Sequence, residues 1–380
     1  MVISKKSLQF LLVTFVACIP LVNFANPTAD SLQNQTENVN PDVAHQEADS
    51  SKEKEFNATD LINSHIGDSH DFHIADWNGH AISMPLPIIL WTNNGLEVFS
   101  SSLFHHDNTG THEVEVNGQK FVKHNEIIYY ADKFKNLSQD DKSAFNFEAR
   151  PLNFSITKLV FSMFLSVIVL FLLFTSLARS YKKNEMAPKG MAGFLEPLVI
   201  FVRDDIAIPN IGEKKYAKFM PYLLTIFFFV WINNMIGLIP FFPFSANLTG
   251  NIYFTFVLAI ITFIITTLNG NKDYWGHVFS PPVPKVLYPI MWPIEIIGMF
   301  TKPFALMIRL FANITAGHII IISLFSLIYI FKTVWISPVS GAFVLFMSFL
   351  EMLVAALQAY VFTLLSALFI GQAVEEHDHH

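Results

Sequence analysis

The sequence is poor in charge and almost free of cysteine, and each shortage excludes a class of protein. Only 14% of the 380 residues are charged, whereas a soluble protein usually carries about 25%. The single cysteine, Cys18, excludes an intramolecular disulfide. No basic tract indicates nucleic-acid binding, and no phosphate-binding G-x-x-x-x-G-K-[ST] motif occurs. Any nucleotide chemistry therefore belongs to another protein.

Long apolar runs fill the rest of the chain. It is 52% hydrophobic and contains 39 phenylalanines, and its charges gather before residue 150, in short loops and at the C-terminus. The net charge of −7 is therefore unevenly spread. This composition predicts an all-α polytopic membrane protein with a small, β-rich, water-facing domain at its N-terminus.

The N-terminus has the pattern of a secretory signal peptide. Lys5 and Lys6 form a basic start, and residues 8–22 form a short apolar core. We expect cleavage near Ala25. An uncleaved anchor and a lipoprotein modified at Cys18 are the alternatives.

A water-facing domain is predicted after this signal. Residues 27–58 are polar and predict a disordered leader. Between residues 59 and 150, the stretches "AISMPLPIIL", "GLEVFSSSLF" and "QKFVKHNEIIYYAD" predict short strands separated by Asn/Gly turns. The predicted division is a signal peptide (1–25), an extracytoplasmic domain (26–150) and a membrane domain (151–380).

About five membrane spans are predicted. The runs 158–179, 222–242 and 248–268 are each close to the 20 or so residues that one span needs. Two longer segments, 303–331 and 338–370, measure about 43 Å and 50 Å as helices. Because a hydrocarbon core is only about 30 Å thick, we expect both to be steeply tilted. The short link between them predicts antiparallel neighbours.

The orientation of the chain follows from two independent signals. The signal peptide places the N-terminal domain outside the cytoplasm, and the basic "RSYKK" after the first span marks the cytoplasmic side. Residues 193–208 carry charges within an apolar stretch and predict an amphipathic helix at the cytoplasmic interface. Five spans that begin with an N-terminus outside then leave the tail "EEHDHH" in the cytoplasm. The predicted location is the cell inner membrane.

Arg309 is the only formal charge in the segment 303–331. Arginine keeps its proton in proteins, and at the centre of a bilayer it costs about 2.5 to 3.5 kcal/mol on insertion scales. Either its side chain snorkels to the headgroups, or it faces a cavity or a partner that bears negative charge. Asn313 lies one helical turn away and shares its face.

Further polar residues occur in the two long segments. Glu351 needs a partner or a proton at membrane depth, and Gln358 lies almost two turns later on the same helix face. His318 lies in the other segment. Titratable groups at such depth predict a proton path. A polar seam that joins the helices, or a purely structural His318, is the alternative.

These motifs resemble the a-subunit family of the rotary F-type ATP synthase. The stretch "IRLFANITAGH" keeps that family's spacing to "PIEIIGMFTKP" before it and to "LEMLVAALQAYVFTLL" after it. "YLLTIFFFVWINNMIGLIP" and the closing "EEH" match as well, so the resemblance covers roughly residues 154–377. The first 150 residues resemble only the extended, signal-bearing members of some Gram-negative lineages.

The resemblance implies a role for each matching residue. Arg309 matches the arginine that faces the carboxylates of the c-ring, and Asn313 and Gln358 match its polar neighbours. His318 stands where many bacterial members have Glu, and Glu351 stands where they have His. The chain is thus similar to members in which this pair is exchanged.

Three more positions match with less defined roles. Glu295 matches an acidic residue of the cytoplasmic half-channel, and Lys302 and Asn234 match further polar positions. Glu295 and Lys302 also fit a simpler interpretation as interfacial charges.

The resemblance implies a proton-translocating stator subunit that has no catalytic site, metal or cofactor of its own. Its implied partners are the c-ring, the b subunit of the peripheral stalk, membrane lipid and, indirectly, the F1 head. A stand-alone ion channel or a secondary transporter is the alternative, although no internal repeat of the transporter kind occurs.

Overall fold

A computed structural model describes residues 67–77, 80–137, 148–183, 190–238, 246–279, 284, 287–331 and 336–375. The predicted signal peptide and leader lie outside these residues. The chain divides into two units, which are described separately below. Of the described residues, those up to Val160 and those within His318–Ser348 belong to the N-terminal unit, and those within Phe161–Gly317 and from Phe349 onward belong to the membrane unit.

Short antiparallel strands build the N-terminal domain, as the sequence predicts. They pair as three small sheets in the orders β1-β2, β4-β3-β8 and β5-β6-β7. The strands within the described residues are β1 (Asp71–Trp77), β2 (His80–Pro85), β3 (Pro87–Thr92), β4 (Gly95–Ser100), β5 (Val114–Val116), β6 (Gln119–His124), β7 (Ile127–Tyr130) and β8 (Leu152–Asn153).

Two-residue turns with positive φ explain why these strands fold back on themselves. Asn117 and Gly118 connect β5 to β6 with φ of 48° and 79°, and Asn125 and Glu126 connect β6 to β7 with φ of 48° and 60°. Such turns match the natural twist of a hairpin, and Asn and Gly tolerate them best. The core behind these hairpins is made of the inward-facing residues Ile88, Leu90, Phe104, Val114, Phe121, Ile128 and Tyr130.

Helices follow from the end of this domain to the C-terminus. Of those within the described residues, four are long and apolar enough to span a membrane, or five if the bent pair Ile252–Leu268 and Lys272–Phe279 forms one span. This confirms the predicted polytopic membrane fold. The helices are α1 (Ala131–Phe134), α2 (Lys158–Lys183), α3 (Met191–Phe201), α4 (Ile208–Ile211), α5 (Tyr216–Leu238), α6 (Ile252–Leu268), α7 (Lys272–Phe279), α8 (Tyr288–Phe331) and α9 (Ile336–Val374).

The last two helices are longer than predicted. Helices α8 and α9 have 44 and 39 residues, or about 66 Å and 58 Å at 1.5 Å per residue. The predicted start at Pro303 is wrong, because α8 begins at Tyr288 and contains both Pro293 and Pro303. A proline removes one backbone hydrogen bond, and membrane helices tolerate that loss where neighbouring groups compensate for it.

Helices α8 and α9 are antiparallel neighbours in the membrane unit, as predicted. Nζ of Lys302 donates a hydrogen bond of 2.9 Å to Oε1 of Gln372. Farther along α8, Gly317 lies against the side chain of Glu351. Residue numbers therefore rise along one helix as they fall along the other.

Candidate functional site

Arg309 lies on an exposed face of α8. Its neighbours Leu306, Leu310 and Ile314 are buried, so the helix is packed on the side away from the guanidinium. Asn313, one turn farther on, is exposed on the same face as Arg309. No side chain within the described residues pairs with Arg309.

The surface around Arg309 is apolar. Phe304 and Ile308, within five residues of Arg309 on α8, are both exposed. Such side chains suit lipid or another apolar helix. A permanent charge among them does not suit lipid, so this face fits a protein partner that carries a negative charge at the same depth.

Glu351 is buried on the opposite, inward side of α9, with only 5% of its surface exposed. Gln358 is buried seven residues later, so the two share one helix face as predicted. The carboxylate of Glu351 occupies the space that a side chain at Gly317 would take. His318, which follows Gly317 in the chain, is partly buried. Its contact with Glu351 stays a prediction.

Asn234 joins three helical segments close to Glu351. Its Nδ2 donates a hydrogen bond of 3.1 Å to the carbonyl oxygen of Ala355, one turn after Glu351. Its Oδ1 accepts a hydrogen bond of 2.6 Å from Oγ1 of Thr249. Both polar side chains are fully buried. They therefore tie the ends of α5 and α6 to the part of α9 that carries the carboxylate.

The turn before α6 adds more polar groups to this region. Oδ1 of Asn247 accepts a hydrogen bond of 2.9 Å from the amide of Gly250, and Thr315 Oγ1 donates to the carbonyl oxygen of Gly250 at 3.4 Å. Nδ2 of Asn247 and Oδ1 of Asn233 are buried and have no partner within the described part of the chain. Buried groups of this kind are usually satisfied by ordered water. We call Asn233, Asn234, Asn247, Thr249 and Glu351 the Glu351 cluster.

A second polar group lies near the start of α8. Oε1 of Glu295 is 3.6 Å from Nδ1 of His277 on α7. Lys302 lies two turns after Glu295, bonds Gln372 and places Nζ 5.6 Å from the ring centroid of Phe369. Glu295 and Lys302 thus both bind partners on other helices, at a helix end remote from the Glu351 cluster.

Several members of these groups were not predicted from the sequence. Thr249 and Asn247 belong to "SANLTGN", a polar stretch beside an apolar span, which is a signal of buried polar contacts. Gly317 stands inside the quoted motif around Arg309, but nothing in the sequence shows what it faces. His277 and Gln372 lie outside the quoted motifs.

Known proteins match most of the chain. The family described as ATP synthase A chain matches residues 160–371. This chain belongs to the ATP synthase A chain family. Subunit a of the ATP synthase of Chloroherpeton thalassium is 50% identical over 238 residues, which cover 61% of this chain and 70% of that protein. Subunit a 2 of Chlorobaculum tepidum is 48% identical over 241 residues, covering 61% and 67%. Subunit a of Myxococcus xanthus is 43% identical over 235 residues, covering 60% and 76%.

Membership in this family confirms the resemblance seen in the sequence. The chain is a component of the ATP synthase complex, not its catalytic subunit, and works in proton transport; a stand-alone channel or secondary transporter is not favoured. A further family, described as a domain of unknown function (DUF8433), matches residues 61–154. The strand-containing domain is therefore a separate module in front of the family's membrane part.

Proposed function

We propose that Arg309 separates two proton half-channels, through which this chain loads and unloads carboxylates of a rotating c-ring. The observation that supports this most directly is a permanent cation on an exposed apolar face. A ring of upright apolar helices with one carboxylate each would fit that face. Long helices such as α8 and α9 can follow the outside of such a ring if they are tilted.

In this proposal the Glu351 cluster forms the outer half-channel. Water held by Asn233 and Asn247 brings a proton to Glu351, which shares it with His318. The proton then passes to a ring carboxylate beside Gln358. The neutral carboxyl group can face lipid, because protonation removes most of the cost of leaving water.

The inner half-channel begins at Glu295 and His277. After nearly a full rotation the ring carboxylate reaches this side and releases its proton towards Glu295. The contact of Lys302 with Gln372 holds α8 against the end of α9 there. The Glu351 cluster and the pair of Glu295 and His277 are separate polar groups. A proton therefore passes from one to the other only on a carboxylate of the ring.

Arg309 controls the passage between the two half-channels. A positive charge about 4 Å from a carboxylate is worth about 4 kcal/mol at an effective dielectric constant near 20. This attraction favours the ionised form of a ring carboxylate as it passes Arg309. The same charge repels a free proton, so it closes the direct route between the channels.

The orientation of the chain is also proposed. The signal-like start and the basic end of α2 support a periplasmic domain 26–150, an inner-membrane domain 151–380 and a cytoplasmic C-terminus. The c-ring and the b subunit of the peripheral stalk are the expected partners. Protease added from the outer side is expected to cleave within residues 26–150 and to spare an epitope added after His380. The reverse pattern would overturn the assignment of the outer channel as well.

Replacing Arg309 tests the proposed function. Arg309→Ala is expected to leave the complex assembled with its ring of small subunits, but to abolish ATP-driven proton pumping and ATP synthesis in membrane vesicles. The matched control is Arg203→Ala, which removes an exposed arginine that pairs with its neighbour Asp204. Normal pumping by Arg309→Ala would contradict the proposal.

A further inference from the structure

The outward face of the sheet β4-β3-β8 is apolar. In an antiparallel sheet with one buried face, the outward positions are normally polar. Here Leu96, Trp91 and Leu152 lie directly opposite one another on the three strands, and 57%, 57% and 44% of their surfaces are exposed. Val98, paired with Ile89 in the next row, is 58% exposed.

This apolar face continues towards the first membrane helix. Beyond β8 the chain stays beside β3, because the amide of Phe154 bonds the carbonyl oxygen of Ile89 at 2.8 Å and the amide of Ile156 bonds that of Pro87 at 3.1 Å. Residues two apart in an extended chain share a face. Leu152, Phe154 and Ile156 therefore form one apolar column that ends two residues before α2.

No free linker separates this sheet from α2. The amide of Lys158, the first residue of α2, donates to the carbonyl oxygen of Ser69 at 2.9 Å. The next amide, of Leu159, donates to Oδ1 of Asp68 at 3.2 Å, so a residue of the domain caps the helix. The domain is thus fixed to the end of a helix that is long and apolar enough to span a membrane.

The sheet β5-β6-β7 of the same domain differs from this one. In the sheet β5-β6-β7, Phe121 and Ile128 are buried in one apolar cluster, and Val122 and Tyr129 are buried in another. Both faces of that sheet are therefore covered. Trp91, Leu96, Val98 and Leu152, by contrast, form one contiguous exposed apolar face.

We propose that this face, formed by Ile89, Trp91, Leu96, Val98 and Leu152, rests on the lipid bilayer beside the start of α2. The apolar column of Leu152, Phe154 and Ile156 ends two residues before Lys158, the first residue of a helix that is long and apolar enough to span a membrane. Tryptophan beside aliphatic side chains is the composition that favours the boundary between headgroups and acyl chains. The proposal goes beyond proton transport and gives the N-terminal module a membrane-docking surface.

Site-directed spin labels can show what covers the face. Leu96→Cys and Val98→Cys are labelled with a nitroxide in a Cys18→Ser background, and the complete ATP synthase is reconstituted in phospholipid vesicles. Collision rates are measured with oxygen, which partitions into lipid, and with a water-soluble nickel chelate. Lys120→Cys is the matched control, because the side chain of Lys120 is 55% exposed on β6 and lies outside the apolar face.

The expected result is a severalfold higher ratio of oxygen to nickel collisions at positions 96 and 98 than at position 120. A nickel-accessible label at 96 and 98 would show a water-exposed face and overturn the proposal. Low collision rates with both reagents would show that a protein segment covers the face, which overturns it equally. ATP-driven pumping in the same vesicles tests the proposed proton transport separately from each of these outcomes.

Discussion

The carboxylate of Glu351 lies directly against Gly317 on the neighbouring helix. A carbon placed as Cβ at position 317 would stand 3.0 Å from Oε1 and 3.1 Å from Cδ of Glu351. Carbon atoms in van der Waals contact are normally separated by about 3.5 to 4.0 Å. The position of this carboxylate therefore depends on a residue that has no side chain.

We expect Gly317→Ala to displace the carboxylate of Glu351 and to slow proton uptake. A tenfold slower pumping rate would correspond to a barrier raised by about 1.4 kcal/mol. The measurement is the initial rate of ATP-driven proton pumping in vesicles. Gly298→Ala is the control, because a Cβ at Gly298 on the same helix meets nothing within 4 Å. Equal rates in the two variants would show that Gly317 does not position Glu351.

The hydrogen bonds of Asn234 predict coupling to Thr249. Thr249→Val removes the donor to Oδ1 of Asn234, and Asn234→Leu removes both bonds of the amide. Because the two changes break one shared hydrogen bond, the double variant is expected to lose less pumping than the sum of the single losses, by about 0.5 to 3 kcal/mol. Thr262→Val, at a buried threonine on the following helix α6, is the matched control. Independent effects of Asn234 and Thr249 would contradict a common network.

A proton shared by His318 and Glu351 is a prediction from the sequence. His318 is 13 residues before Phe331, and Glu351 is 13 residues after Pro338, so their depths correspond in antiparallel helices. If they titrate as one site, the exchange His318→Glu with Glu351→His retains more pumping than the two single changes predict by addition. We expect partial rescue, because the surrounding hydrogen bonds suit the present order. Strictly additive losses would make His318 a structural residue.

Sequence alone was sufficient for the features that depend on composition and helical period. The apolar runs predicted the spans, whereas the functional role of Arg309 stays a prediction. The spacing of Glu351 and Gln358 predicted their common helix face. Each of these follows from the chain's own periodicity, so no knowledge of packing was needed.

Features that depend on long-range contacts were not predictable in the same way. The bond of Asn234 to the carbonyl of Ala355 joins positions 121 residues apart. The role of Gly317 is visible only once α9 is placed beside it. The predicted start of α8 at Pro303 was wrong. Proline usually interrupts a helical pattern, so the segment before Pro303 was not joined to the one after it. The sequence does not show the packing that lets the helix continue through this proline.

Glu126 is an acidic residue of the N-terminal domain whose ionisation depends on the fold. It lies in the β6–β7 turn, where its Oε2 accepts a hydrogen bond of 3.0 Å from the amide of His70 and its Oε1 is 3.3 Å from Nζ of the buried Lys123. Burial alone would raise the pKa of Glu126. The contacts with His70 and Lys123 outweigh burial and lower this pKa from 4.5 to about 2.

This lowered pKa predicts that the domain loses stability in acid. A carboxylate with a lowered pKa contributes its full stabilisation above the unfolded-state value of 4.5 and loses it as the pH falls towards 2. The contribution is about 3 kcal/mol at most, from 1.36 kcal/mol per unit. Asp68 acts in the opposite direction, because burial raises its pKa and its contribution is lost as the pH rises. A variant of Glu126 itself is therefore needed to separate the two effects.

Glu126→Gln is expected to weaken protection of β6 and β7 against amide hydrogen exchange at pH 7, and to flatten the decline of protection between pH 5 and pH 3. Glutamine keeps the shape of the side chain but cannot carry the negative charge that Lys123 and the amide of His70 stabilise. Exchange is measured on the intact complex and corrected for the intrinsic effect of pH. Glu115→Gln, at an exposed acid on β5, is expected to leave both quantities unchanged. An equal decline of protection in the wild type and in Glu126→Gln would show that the charge of Glu126 does not stabilise this fold.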